Sequence, residues 1–243
     1  MKKRSIVIPH EHGGWAMVSV PFLLGLFAGK PQWMHLPLLM GWLFLYLSSY
    51  PFLQSMKNKA NRRHWITWGT IYGLLAACCL VPSLVSHPAL LVFGPLLLAL
   101  LSVNIWHTRH KSERALLNDL CAILMFSLSG AAAYLVGGGG WNRMMASVVL
   151  FSFLYFTSSV FFVKAIFRER ENKRWIAYTR AYHILLPLVL WAAGHPWMIL
   201  AYVFSAARAF AFAGKPMRPS KAGMIEIVGA VLFVILSAVL IQR

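Results

Sequence analysis

ITWGTIYGLLAACCLVPSLVSHPALLVFGPLLLALLSVNIW, residues 66–106, contains no Asp, Glu, Lys or Arg. A helix needs about 20 apolar residues to cross the hydrocarbon core of a bilayer, so this stretch is long enough for two crossings. His87-Pro88 divides it into 66–86 and 88–106. Proline in the first turn of a helix gives up no hydrogen bond, so the His-Pro pair suits a tight hairpin between two spans.

The rest of the chain continues the pattern outward. Further apolar runs lie near 13–29, 35–55, 118–136, 143–166, 179–194, 196–213 and 222–241, and His195-Pro196 separates the last pair but one. The spacing predicts an all-α, polytopic transmembrane bundle of about nine spans. It forms one domain over residues 1–243, with no soluble module, no long linker and no visible internal repeat. Composition agrees: 12% charged residues is about half the share in a soluble domain, and the mean hydropathy is +0.65. Ten Trp and eight Tyr suit the aromatic belts at a membrane's two surfaces.

The net charge of +17 would suggest nucleic acid if it lay on a soluble face. Here the basic residues fall in short loops, which excludes that partner and points to the positive-inside rule. With the N-terminus inside, 20 of the 23 Lys and Arg fall on the cytoplasmic side; Lys30, Arg143 and Arg243 fall outside. The C-terminus is then outside, and the expected location is the bacterial cytoplasmic (inner) membrane. The basic start MKKRSIVIPHEHGG lacks a small-residue cleavage site after the first apolar run, so it reads as a retained cytoplasmic segment. Cys78, Cys79 and Cys121 form no CxxC motif, which argues against structural disulfides and a zinc site.

All six acidic residues, Glu11, Glu113, Asp119, Glu169, Glu171 and Glu226, also fall on the cytoplasmic side. Any chemistry is expected there. In PHEHGGWAM, residues 9–17, His10 and His12 alternate around Glu11 and are candidates for a metal or anion site; the competing account is a polar cap on the first span with Trp15 as its interfacial anchor. In KAIFRERENKRWIAYTRAYH, residues 164–183, Arg168 and Arg170 supply planar forks suited to phosphate or carboxylate. Glu169 and Glu171 suit a hard cation, Asn172 adds an amide, and His183 enters the next span. The competing account is a solvated loop in which Glu pairs with Arg beside anionic lipid. In HTRHKSERALLND, residues 107–119, His107, His110 and Glu113 have helical spacing. Glu226 lies inside the last span and is a candidate by that position alone, with Lys221 or Arg208 as its partner. The candidate ligand-binding set is His10, Glu11, His12, Arg168, Glu169, Arg170, Asn172, His183 and Glu226. Glu11, Glu169 and Glu226 are the candidate metal ligands.

PHEHGGWAM, the RERxN stretch at 168–172, Tyr182-His183 and KAGMIE at 221–226 together resemble the YwiC-like family of bacterial membrane proteins. The resemblance runs over essentially the whole chain. It implies a polytopic bacterial membrane protein and no particular reaction. The motif positions that would carry over are His10, His12, Gly13, Trp15, Arg168, Glu169, Arg170, Asn172, His183 and Glu226.

The architecture is also similar to that of UbiA-type prenyltransferases. Those have nine spans and bind a prenyl pyrophosphate through Mg²⁺ held by Asp-rich motifs after spans two and six. This chain departs from them: SMKNKANRRH, after span two, holds no acid, and no NDxxDxxxD is present. The expectation is therefore a cytoplasm-facing polar site for an anionic amphiphile, either an anionic lipid or a prenyl pyrophosphate, with a divalent cation such as Mg²⁺. The alternatives are a UbiA-like transferase, a transporter, or a non-catalytic membrane partner. A transporter usually places polar groups at mid-membrane, and no mid-span carboxylate exists.

Overall fold

The computed structural model describes residues 6–9, 12–57 and 60–242. Among the described residues all regular structure is helical. In order the helices are α1 (His12–Ala28), α2 (His35–Lys57), α3 (Arg62–Ser86), α4 (Phe93–Arg109), α5 (Leu116–Val136), α6 (Arg143–Ile166), α7 (Lys173–Ala192), α8 (Ile199–Phe212) and α9 (Pro219–Leu240). Short 3-10 turns, Pro88–Val92 and Pro196–Met198, follow the two His-Pro pairs. Each predicted span coincides with a helix. The greatest difference is at α7, which begins at Lys173 rather than 179, because the Asn172 side chain accepts from the Arg174 and Trp175 amides and caps the helix early.

Among the described residues six helical segments are long and apolar enough to cross a membrane: α2, α3, Pro88–Arg109, α5, α6 and α9. α1 and α8 are shorter apolar helices. The outer surfaces of α3, α7 and α9 expose Val85, Leu188 and Val239, as expected against lipid tails. α1 contributes to both main core clusters: Val20 and Leu24 pack with Phe151, Leu190 and Phe233, and Phe22 packs with Leu38, Leu128 and Tyr134.

Contacts between loops define two ends of the bundle. At one end Lys57 meets Glu113, and the Gly214 amide donates to the Ala165 carbonyl. At the other, the Lys30 amide donates to Gly137, His35 Nε2 donates to the Ala133 carbonyl, and Ser147 meets His195. The first is the basic end, where α2, α4, α6 and α8 finish and α3, α5, α7 and α9 begin.

Two runs of four helices, α2–α5 and α6–α9, share local features. Asn61-Arg62-Arg63-His64-Trp65-Ile66 opens α3, and Asn172-Lys173-Arg174-Trp175-Ile176 opens α7, with each Asn at the N-cap position. Tyr72 and Tyr182 stand at the same spacing from those Trp residues, and each donates its hydroxyl to a backbone carbonyl, of Val7 and Leu154 respectively. Both helices end in His-Pro followed by a 3-10 turn. Tyr46 of α2 packs edge-on to Phe126 of α5, and Tyr155 of α6 stacks on Phe233 of α9. The matching residues are sparse and mostly aromatic, which hid them among the other membrane aromatics.

Candidate functional site

The described acids gather at the basic end, and nearly all are neutralised there. Lys57 Nζ lies 2.8 Å from Glu113 Oε1. Lys164 Nζ lies 2.7 Å from Asp119 Oδ2 and donates to the Arg114 carbonyl at 2.8 Å. Arg170 Nη2 pairs with Glu171 Oε1 at 3.0 Å, and Arg208 pairs with Glu226. The hydrogen bond from Lys57 holds the Glu113 carboxyl below its ordinary value. Glu169 differs: its Oε2 accepts from Asn172 Nδ2 at 2.7 Å, so Asn172 caps α7 with its oxygen and holds Glu169 with its nitrogen.

These pairs place most of the sequence-derived candidates. Arg168 is exposed, and Arg170 and Glu169 are half-buried on the α6–α7 loop. His183 is buried in the middle of α7. His12 opens α1, while His10 and Glu11 lie outside the described residues. Beyond them Gly14 abuts the Tyr46 hydroxyl and Trp15 packs edge-on to the Tyr46 ring. The helical spacing read from His107, His110 and Glu113 does not hold: α4 ends at Arg109, and Lys111 takes a positive φ of 55° that turns the chain. His107 is buried with Nδ1 on Ser112, and His110 lies against Trp106. Lys221 lies over the Phe212 ring, so Arg208 is the partner of Glu226.

Glu226 and His183 belong to an interior cluster between α6, α7, α8 and α9. The Arg208 side chain is 1% exposed and that of Glu226 17%. Arg208 also donates to Ser159 Oγ at 2.8 Å and reaches Ser205 Oγ at 3.5 Å. Its guanidinium lies over Phe162 at 5.0 Å and Tyr155 at 5.8 Å, which adds attraction from the ring faces. The Tyr155 hydroxyl sits beside Ser159 and Arg208 but makes no hydrogen bond of good geometry. His183 Nδ1 lies 2.7 Å from the Thr179 carbonyl, so it carries the proton and leaves Nε2 as an acceptor. Reading by charge alone missed Tyr155, Ser159 and Ser205. The signal for the first two was the run of hydroxyls Ser152, Tyr155 and Ser159 on one buried face of α6, while Ser205 lies on α8 one turn before Arg208.

Among the described residues no three His, Cys, Asp or Glu side chains come together as metal ligands. The described carboxylates do not fit a resident Mg²⁺ site, because four of the five already meet a cation.

The sequence pattern of the YwiC-like protein family matches residues 8–134. The chain is 38% identical over 237 residues to YwiC of Bacillus subtilis (strain 168), covering 98% of this chain and 99% of that protein. The chain belongs to the YwiC-like family. A second member-like relative, an uncharacterized protein of Haemophilus influenzae (strain ATCC 51907 / DSM 11121 / KW20 / Rd), is 33% identical over 232 residues, covering 95% of this chain and 97% of that protein. No solved structure matches the chain. The YwiC-like match takes in PHEHGGWAM and runs from the segment before α1 into α5. The interior cluster at Tyr155, His183, Arg208 and Glu226 lies beyond it, within the length shared with both relatives.

Proposed function

We propose that this YwiC-like chain is an inner-membrane protein, with its basic end toward the cytoplasm, that binds an anionic amphiphile at that end. One observation carries the reading. The first turns of α3, α7 and α9 hold no acid but do hold Arg62, Arg63, Lys173, Arg174 and Lys221. A helix N-terminus carries partial positive charge and is stabilised by anions, so cations there are on the disfavoured side. The described acids nearby are mostly spent on Lys57, Lys164, Arg170 and Arg208. The compensating negative charge then comes from outside the chain, from a phosphate-bearing headgroup. Arg168, exposed beside the N-terminus of α7, offers an open guanidinium fork, and Arg170 stands next to it. Glu169 is the described carboxylate that would meet a divalent cation brought in with the phosphate.

The test is the thermal stability of purified protein with added prenyl pyrophosphate or vesicles containing anionic lipid. Either should raise the melting temperature, and the rise should shrink with added salt and vanish in Arg168→Ala plus Arg170→Ala. If only neutral or cationic ligands stabilise the protein, the basic end serves topology alone. A shift with anionic lipid and none with prenyl pyrophosphate would set aside the UbiA-like reading.

A further inference from the structure

The two four-helix units differ where α3 and α7 pass the middle of the bundle. Gly69 and Gly73 of α3 pack closely on α2: a methyl at Gly69 would press on Phe52, and one at Gly73 would touch Ser48. At the corresponding places α7 carries Thr179 and His183. The second unit has thus exchanged a closed, small-residue contact for polar groups.

Those groups meet others that lack partners. The Tyr155 hydroxyl, His183 Nε2 and Arg208 Nε are all buried without a hydrogen-bond partner among the described residues. The three residues are 1%, 3% and 2% exposed. Buried polar atoms rarely go unsatisfied, and three around one guanidinium point to an occupant. The occupant's chemistry follows from the inventory. Glu226 already neutralises Arg208, so a second anion would bring an uncompensated charge into a low-dielectric interior. The open groups are a donor on Arg208 Nε, a hydroxyl on Tyr155 and an acceptor on His183 Nε2. A group that both accepts and donates answers all of them, whereas a carbonyl or ether oxygen leaves His183 unmet. Counting helical rise from the basic end, Tyr155 and His183 lie about 15 Å along α6 and α7, and Arg208 about 6 Å along α8, so the cluster lies inside the bundle behind the basic loops.

We propose that Tyr155, His183 and Arg208 form a buried site within the bundle for the uncharged hydroxyl group of an amphiphile, separate from the exposed anion-binding face at the basic end.

The probes are 1-decanol, decane and decanoate, added at equal membrane concentration to the purified full-length protein in lipid nanodiscs. Decanol should raise the melting temperature by about 2–4 °C over decane. Tyr155→Phe removes only the unpartnered hydroxyl; it should fold normally and lose most of the decanol shift. His183→Gln, which keeps polar capacity in a different place, should also reduce it. Arg168→Ala plus Arg170→Ala should leave it intact, so failure here and failure of the anion reading are told apart. A decanol shift equal to that of decane, equal to or below that of decanoate, or unchanged in Tyr155→Phe, overturns the proposal and leaves the groups to internal water.

Discussion

Gly25 of α1 lies directly against the backbone of Gly130 of α5. A Cβ on Gly130 would come within 2.5 Å of the Pro21 carbonyl oxygen and 2.7 Å of Val148 Cγ1. The obstacle on one side is backbone, which has little freedom to move, so a side chain forces the helices apart. This is the small-residue contact by which membrane helices approach closely, and it packs α1 against α5 at the centre of the bundle. Gly130→Ala should therefore destabilise the protein by about 1–3 kcal/mol, as overpacking of a tight core does. Gly13→Ala, with open space around it, should be near neutral. Equal effects of the two changes on thermal unfolding would mean that the crossing is looser than it looks.

The Arg208–Glu226 pair separates the cost of an ion pair from the cost of breaking it. Removing one partner strands a charge among Tyr155, Phe162 and the serines of α6 and α8. Arg208→Ala or Glu226→Ala should cost about 3–5 kcal/mol, and Arg208→Met with Glu226→Leu far less than the sum. A double-mutant cycle on the purified protein measures this. Strict additivity would show that the two side chains do not interact.

Lys57 and Glu113 should make stability sensitive to acid, weakly. The carboxyl is held below its ordinary 4.5, so the pair's contribution is fully present above that value and is lost as pH falls through the lower, folded value. Both side chains are about one-third exposed, so solvent screening limits the effect to about 0.5 kcal/mol. Glu113→Gln should cost about 0.5 kcal/mol at pH 7, flatten the stability profile below pH 4.5, and cost progressively less as the pH falls further. A larger effect in acid than at pH 7 would reverse the sign of the argument.

The nine-span reading puts the C-terminus on the face opposite the basic loops. A reporter that works only outside the cytoplasm should be active when fused after Arg243, and a cytoplasm-only reporter should be silent there. The reverse result would require one helix to fail to cross; α1, 17 residues long, and α8, 14 residues long, are the shortest.

The fold was highly legible because apolar runs and His-Pro breaks are direct consequences of the bilayer's thickness and of proline's missing N–H. The same physics made α7 look short. Its first turn, Lys173-Arg174-Trp175-Ile176, is polar enough to read as loop until Asn172 is seen capping it. The site was legible only in part. Glu226 and His183 announced themselves as polar residues within spans. Their meeting at Arg208 depends on how α7, α8 and α9 pack around α6, which periodicity does not specify. Tyr155 was easily passed over because tyrosine is ordinary in membrane helices; its place in the hydroxyl run of α6 gains meaning only from its burial. Glu169 and Arg170 were read as ligands for a metal and an anion, but their immediate partners are their own neighbours, Asn172 and Glu171.

The two similar runs each contain four helices, and that number has a topological consequence. A segment with an even count of crossings returns the chain to the side from which it left. Everything downstream keeps its facing, and no loop has to exchange basic residues for neutral ones for the protein to insert. α2–α5 and α6–α9 accordingly carry their Arg- and Lys-rich turns, after α2 and after α6, on the same side. A run with an odd count would face the other way and would need its basic residues redistributed to insert. Interior positions are free of that constraint: eight residues after its Trp, one run has Gly73 and the other His183.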